Sequence, residues 1–133
     1  MGWTPVTKAA TTSGSAEGET SLNAFDNALL AAGIGNINLV KVSSILPPEA
    51  EVVDLPRLRP GAIVPTAFAA MTSEVPGEVV AAAVGWARPE DRTKNGVIME
   101  FQDKATREEA ERAIVQMLRE SFRTRGWKIR DMQ

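Results

Sequence analysis

The residues able to do chemistry in this chain are few, because its 133 residues include neither histidine nor cysteine. The commonest general base, the commonest metal ligand and the thiolate nucleophile are therefore all missing. Any reaction must run on carboxylates, hydroxyls, amides or something unusual. Three places depart from a purely structural pattern. Asp26 falls inside an apolar helical stripe of Leu22, Phe25, Leu29 and Leu30, where an ionised carboxylate is costly to bury unless it is paired. A buried salt bridge, a boundary position and a functional acid all fit it. Glu100 stands alone in the apolar run "VIMEF"; simple strand alternation would point it to solvent, and a functional role is the other reading. The third place is "AGIGNINLVKVSSILPP", in which two glycines and two asparagines lead into a strand ending in the pair Ser43 and Ser44. It lacks the lysine of a phosphate loop and the spacing of a dinucleotide fingerprint. A Ser-Ser pair by itself is inert.

The elements that must position these residues follow from periodicity. The first twenty residues, rich in Thr, Ser, Ala and Gly, predict a poorly defined strand and a loop. "TSLNAFDNALLAAG" predicts a short helix with Thr20 or Ser21 as N-cap and Gly33 at a left-handed C-terminal cap. "INLVKVSSIL" predicts a β-branched strand that Pro47 and Pro48 terminate, since neither can donate to a ladder. "GAIVPTAFAAMTSE" and "EVVAAAVGWA" predict two strands buried on both faces, and "GVIMEFQD" a fourth after the turn signal "KNG". "TREEAERAIVQMLRESFRTRG" predicts a long helix with a Thr106/Glu109 capping box, a Gly126 stop and a buried face of Ala110, Ala113, Ile114, Met117, Leu118 and Phe122. "WKIRDMQ" adds a short closing strand. The order β-α-β-β-β-β-α-β predicts a single α+β domain, an αββα-like sandwich of mainly antiparallel sheets covered by helices.

Composition limits the function classes. A 44% hydrophobic, 24% charged chain is ordinary for a soluble globular protein. Fifteen basic against seventeen acidic residues give a net charge of -2, which argues against nucleic acid and against an anionic membrane surface as partners. The N-terminus lacks the basic start and apolar run of a signal peptide, and no segment approaches membrane-spanning length. Absence of cysteine suits a reducing compartment, so the expected location is the cytoplasm.

The three unusual places fall together in one resemblance. "EGETSLNAFDNALLAAGIGNINLVKVSSILPPEAE", followed in register by "GAIVPTAFAAMTSEVPGE" and "GVIMEF", resembles the pyruvoyl-dependent arginine decarboxylases over roughly Glu17 to Trp127. The resemblance implies a proenzyme that cuts its own backbone between Ser43 and Ser44, giving chains 1–43 and 44–133. Ser44 is then the precursor of a covalent pyruvoyl group, with neither pyridoxal phosphate nor metal, and Ser43 the new C-terminus. In this chemistry the ketone condenses with an amino acid's amine as a Schiff base and accepts the electrons released as carbon dioxide leaves. The implied reaction converts arginine to agmatine for polyamine synthesis.

The resemblance also assigns the other residues. Glu100 is the implied proton donor to the carbanion, a task for an acid kept protonated by apolar neighbours. Asn38 matches an asparagine tied to processing, with an amide suited to oxyanion donation. Asp26 matches the carboxylate that faces the substrate guanidinium. Period-two alternation puts Asn38 and Ser44 on one strand face, roughly 20 Å apart in a straight strand. One protomer then cannot easily bring both to one substrate, which agrees with the family's trimers, alone or paired, and their interfacial sites. Lys41 points the other way, as a solvated or interface lysine. The same pyruvoyl chemistry on another amino acid, and an unprocessed paralogue or partner subunit acting as an oligomer scaffold, are the alternatives.

Overall fold

The computed structural model describes residues 6–133; the expected N-terminal strand lies partly outside them, in Met1–Pro5. Within the described chain the elements are β1 (Lys8–Ala9), α1 (Ser21–Ala31), β2 (Asn38–Lys41), β3 (Ile45–Leu46), β4 (Glu51–Val52), β5 (Ile63–Thr66), β6 (Ala81–Pro89), β7 (Gly96–Asp103), α2 (Arg107–Arg125) and β8 (Ile129–Met132). No helix among them is long and apolar enough to cross a membrane.

The long helix forms for the reasons its sequence implies. Thr106 accepts from the Glu109 amide while the Glu109 carboxylate reaches back to Thr106, acidic residues occupy the first turn and basic ones the last, and Gly126 closes the helix at φ 73°. Ala110, Ile114, Leu118 and Phe122 face inward as expected. Ser121 joins them, while Ala113 and Met117 are only half-buried. This face packs on an antiparallel sheet of order β3-β7-β6-β8. The core between them holds Ala87, Val97, Ile114, Leu118 and Phe122. Gly85 lets the helix come close: a Cβ there would lie 2.4 Å from Ile114 Cγ2.

The other sheet face is covered at one end only. Leu46, Ala50 and Trp86 form a second cluster with Ala9, Val52 and Ile98, where the parallel pair β1-β4 folds over. A second parallel pair, β2-β5, stands separately. The α+β class therefore holds, whereas the expected sandwich of antiparallel sheets under helices does not: there is one four-stranded antiparallel sheet with α2 on one face, plus two small parallel pairs. Local periodicity identifies an element's type, but pairing is set by contacts distant in sequence.

Other expectations are corrected in the same way. The predicted strand "INLVKVSSIL" is two strands in different sheets, broken at residues 42–44. Of "GAIVPTAFAAMTSE" only Ile63–Thr66 is strand, and its Ile63 is 73% exposed rather than buried on both faces. Residues 67–80 run irregularly, tied down by Gln102 accepting from the Ala70 amide and by Glu78, which accepts from Ser73 and pairs with Lys104 at 3.2 Å. Helix α1 starts at Thr20, whose hydroxyl accepts from the Asn23 amide, and is followed by Gly33 at φ 82°, as expected. It buries none of its residues, and Leu22 on its predicted apolar stripe is 76% exposed.

Since Ile114 meets the sheet across Gly85, Gly85→Ala should lower stability in chemical denaturation by about 1–3 kcal/mol through overpacking. An unchanged midpoint would mean that helix and sheet can part at no cost.

Candidate active site

The break between β2 and β3 determines the site. β2 ends its ladder when the Val42 amide donates to Thr66 O at 3.2 Å, and β3 starts when Ser44 O accepts from the Ile98 amide at 2.9 Å. To pass from one sheet to the other within three residues, the chain turns through Ser44 at φ 80°, in the left-handed region that glycine enters freely and that L-residues other than asparagine and aspartate avoid. Such a backbone costs about 1–2 kcal/mol and persists only where its surroundings impose it. The surroundings here are explicit. Ser44 is only 8% exposed, its carbonyl is held by Ile98, and its hydroxyl donates to Glu100 Oε1.

Glu100 comes from the middle of β7, paired across the sheet with Val84. The inward residues of these strands, among them Val97, Met99 and Phe101, pack toward α2, so alternation puts Glu100 on the opposite face with Ile98 and Gln102. The sequence left open whether alternation would send this acid to bulk water. It is half-buried and bonded to Ser44.

The other sequence candidates take no part in the Ser44–Glu100 bond. Ser43 is exposed beside Ser44. Asn38 opens β2, is exposed, and donates from Nδ2 to Gly61 O at 3.1 Å. Because β2 and β3 belong to different sheets, the straight-strand argument that gave Asn38 and Ser44 a common face does not apply. Asp26 is exposed on α1 rather than buried in an ion pair. Among the described residues, no hydrogen bond or ion pair joins Asn38 or Asp26 to Ser44 or Glu100. Beside Asn38 a cleft of about 310 Å³ is lined by Leu30, Gly35, Asn36, Ile37, Arg57 and Pro60, among others. Lys41 holds its ammonium 5.1 Å from the centre of the Phe68 ring. The sequence reading missed the Ile98 amide, since residue types carry no signal for a backbone donor.

A carboxylate bonded to the hydroxyl of a buried, left-handed serine, in a chain without histidine or cysteine, defines a site for acid-base chemistry on carboxyl and hydroxyl groups. Over residues 8–133 the chain matches the family model described as pyruvoyl-dependent arginine decarboxylase (PvlArgDC). That span is longer at both ends than the resemblance read from sequence. It is 53% identical to the pyruvoyl-dependent arginine decarboxylase of Methanocaldococcus jannaschii over 116 residues, 87% of this chain and 70% of that protein. Proteins of the same name from Thermococcus sibiricus and Pyrococcus abyssi are 45% and 44% identical, each alignment spanning all of this chain and 85% of the relative. The chain belongs to the pyruvoyl-dependent arginine decarboxylase family, a family of carboxy-lyases.

If the left-handed backbone is imposed rather than incidental, Ser44→Gly should unfold at higher denaturant than Ser44→Ala by about 1 kcal/mol, both variants lacking the hydroxyl. Equal stability would mean that Ser44 carries no strain.

Proposed function

We propose that this chain is a self-processing decarboxylase that cuts the Ser43-Ser44 bond, forms its pyruvoyl group from Ser44 and converts arginine to agmatine and carbon dioxide. The observation that carries the proposal is the conformation of Ser44: buried, left-handed and bonded through its hydroxyl to Glu100.

The cut begins with Ser44 Oγ attacking the Ser43 carbonyl carbon, so that the amide becomes an ester as the acyl group passes from N to O. The φ of Ser44 is a torsion about its bond to the amide nitrogen, measured from the Ser43 carbonyl carbon. Moving that carbon to Oγ abolishes the strained torsion, so the strain favours the shift. β-Elimination then breaks the Cβ-O bond, leaving the Ser43 carboxylate and a dehydroalanine, which water converts to a ketone with loss of ammonia. Only a residue with a leaving group on Cβ can follow this course, which accounts for the hydroxyl at position 44.

The site residues fit the finished group. The Ser44 carbonyl, retained after the cut, stays within reach of the Ile98 amide, and the Glu100 carboxyl faces the position of the Ser44 side chain. The pyruvoyl group supplies a conjugated carbonyl that accepts the electrons released by decarboxylation. Glu100 then delivers a proton to the carbon that carbon dioxide has left. Asn38 offers an amide for the oxyanion of processing, and Asp26 a carboxylate for the guanidinium.

Among the described residues neither Asn38 nor Asp26 bonds to Ser44 or Glu100, and a second copy of the chain completes the site. Exposed Val40, Val42 and Ile45 flank the break, and Val84 beside Glu100 is 36% exposed. These side chains give the copies apolar surface to bury. The assembly is a homo-oligomer, a trimer or a pair of trimers, in a reducing cytoplasm.

Mass spectrometry of the purified protein should find fragments 1–43 and 44–133, the second beginning in a pyruvoyl group. A single intact mass would end the proposal. Borohydride should trap labelled arginine in preference to other amino acids; trapping of another substrate instead would change the assignment. Asp26→Asn should raise KM for arginine and leave cleavage intact, and equal loss of cleavage would make Asp26 structural. Glu100→Gln retains an acceptor for the Ser44 hydroxyl, so it should still cleave while kcat falls about 10²- to 10⁴-fold. Mixing Ser44→Ala with Asp26→Asn subunits should restore part of the activity if sites are shared, and no restoration would put each site within one chain.

A further inference from the structure

Resting on that self-processing reading, a further role falls to the arm Ser44–Ala50. Before a cut Ser44 is tethered on both sides, upstream through Val42 to Thr66 and downstream through β3. Afterwards only the downstream side remains. A chain end carried by a two-residue strand frays unless something ties it down. Productive chemistry at that end also tolerates little displacement from Glu100.

The arm is tied down with unusual thoroughness for an irregular segment. Leu46 and Ala50 are almost fully buried against Trp86, and Pro47 O accepts from the Ala50 amide at 3.1 Å. Arg88 of β6 stacks 4.9 Å from the centre of the Trp86 ring and donates from Nη1 to Ala50 O at 3.3 Å. The same guanidinium grips Asp131 of β8 in a two-pronged pair, 3.1 Å from Nε and 2.7 Å from Nη2. That bond from Arg88 holds the Asp131 carboxyl below the usual carboxylate range, so the pair stays charged. Glu49 sits at φ 57°, a second non-glycine residue in the left-handed region. Its carboxylate accepts from Arg130 of β8 at 3.3 Å and from Arg92, in the turn between β6 and β7, at 3.5 Å. Arg130 also donates to Pro89 O at 3.3 Å. Three cations from three parts of the chain therefore converge on seven residues.

We infer that Glu49, Arg88 and Arg130 are positioning residues that clamp the Ser44–Ala50 arm, holding the end created by cleavage in register against Glu100. None of them touches Ser44; they act through Ala50, Trp86 and the turn at Pro47–Ala50. In the uncut chain the upstream tether makes the clamp redundant. Only in the cut protein does the position of the new end depend on it. The Glu49 pairs are more than half exposed on the carboxylate side and individually weak, whereas Arg88 is better buried and two-pronged, so Arg88 carries more.

The test compares hydrogen exchange of the Ile98 amide, the donor to Ser44 O, in cleaved protein and in the uncleaved Ser44→Ala protein. Each is measured with and without Glu49→Gln or Arg88→Met. In the cleaved protein, Glu49→Gln should speed exchange roughly threefold and Arg88→Met roughly tenfold, while both should leave the uncleaved protein nearly unchanged. kcat should fall with KM held. Arg107→Gln, which breaks the exposed pair with Glu111 on α2, should change neither form. If Arg88→Met does not fold, Glu49→Gln carries the test. Equal acceleration in both forms, or none in either, overturns the clamp while the self-processing reading stands. A wild-type protein found uncut overturns both.

Discussion

The structure around the site depends on one constraint: the chain must leave the β2-β5 ladder and enter the four-stranded sheet within residues 42–44. An L-residue resists the turn this requires, and glycine would make it without strain. The chain instead puts a serine there, buried, at φ 80°. Its hydroxyl is satisfied by Glu100 and its carbonyl by Ile98, and among the described residues no buried side-chain nitrogen or oxygen lacks a partner, so the strained conformation is held from two sides. Two hydrogen bonds thus offset part of the cost of the left-handed backbone.

The helix-covered core and the Ser44–Glu100 pair occupy opposite faces of the same sheet. The α2 face is a buried apolar core whose helix is capped at both ends and whose contact with β6 is close enough to demand glycine at position 85. Nothing titratable lies within that core cluster. On the other face the strands present Trp86 and Ile98, covered by the arm and the β1-β4 pair, and then Val84 and Glu100. Because side chains alternate along β7, the face that holds Glu100 near Ser44 is the one turned away from α2. A carboxylate there does not need to be buried in the core, where its desolvation would have to be offset.

This division explains what the sequence made legible. Helix α2 was readable to its caps, because Thr106, Glu109 and Gly126 act through bonds local in sequence. Strands β6 and β7 were readable as elements, though with β6 starting later than its apolar run. Asp26 misled in its packing: the stripe it interrupts is real in sequence, but α1 buries none of its residues, so the acid is simply exposed. The break inside "LVKVSSIL" could not be read either. A β-branched run with two serines has strand propensity throughout, and only pairing of Ile45 with Val97, more than fifty positions away, draws the chain out of the first ladder. The serine pair was noticed for its residue types and recognised by resemblance. Its conformation is what links those types to chemistry, and no local pattern encodes it.

The topology also bears on how a chain could survive a cut between Ser43 and Ser44. Among the described residues, both strands upstream of that bond pair with strands downstream of it: β1 with β4 and β2 with β5. Thr12 and Ala32, whose hydrogen bond fixes the segment before α1, both lie upstream, and the Ser21 hydroxyl reaches Glu74 on the downstream side. A break there would sever one covalent bond and no ladder. Downstream, the sheet and its helix form from residues 45–132 alone, so the core needs nothing from the first 43 residues beyond the cover that β1 provides. Because the ladder partners of β1 and β2 lie beyond that bond, the two pieces stay joined by backbone hydrogen bonds when it opens, whatever the length of the connection that is cut.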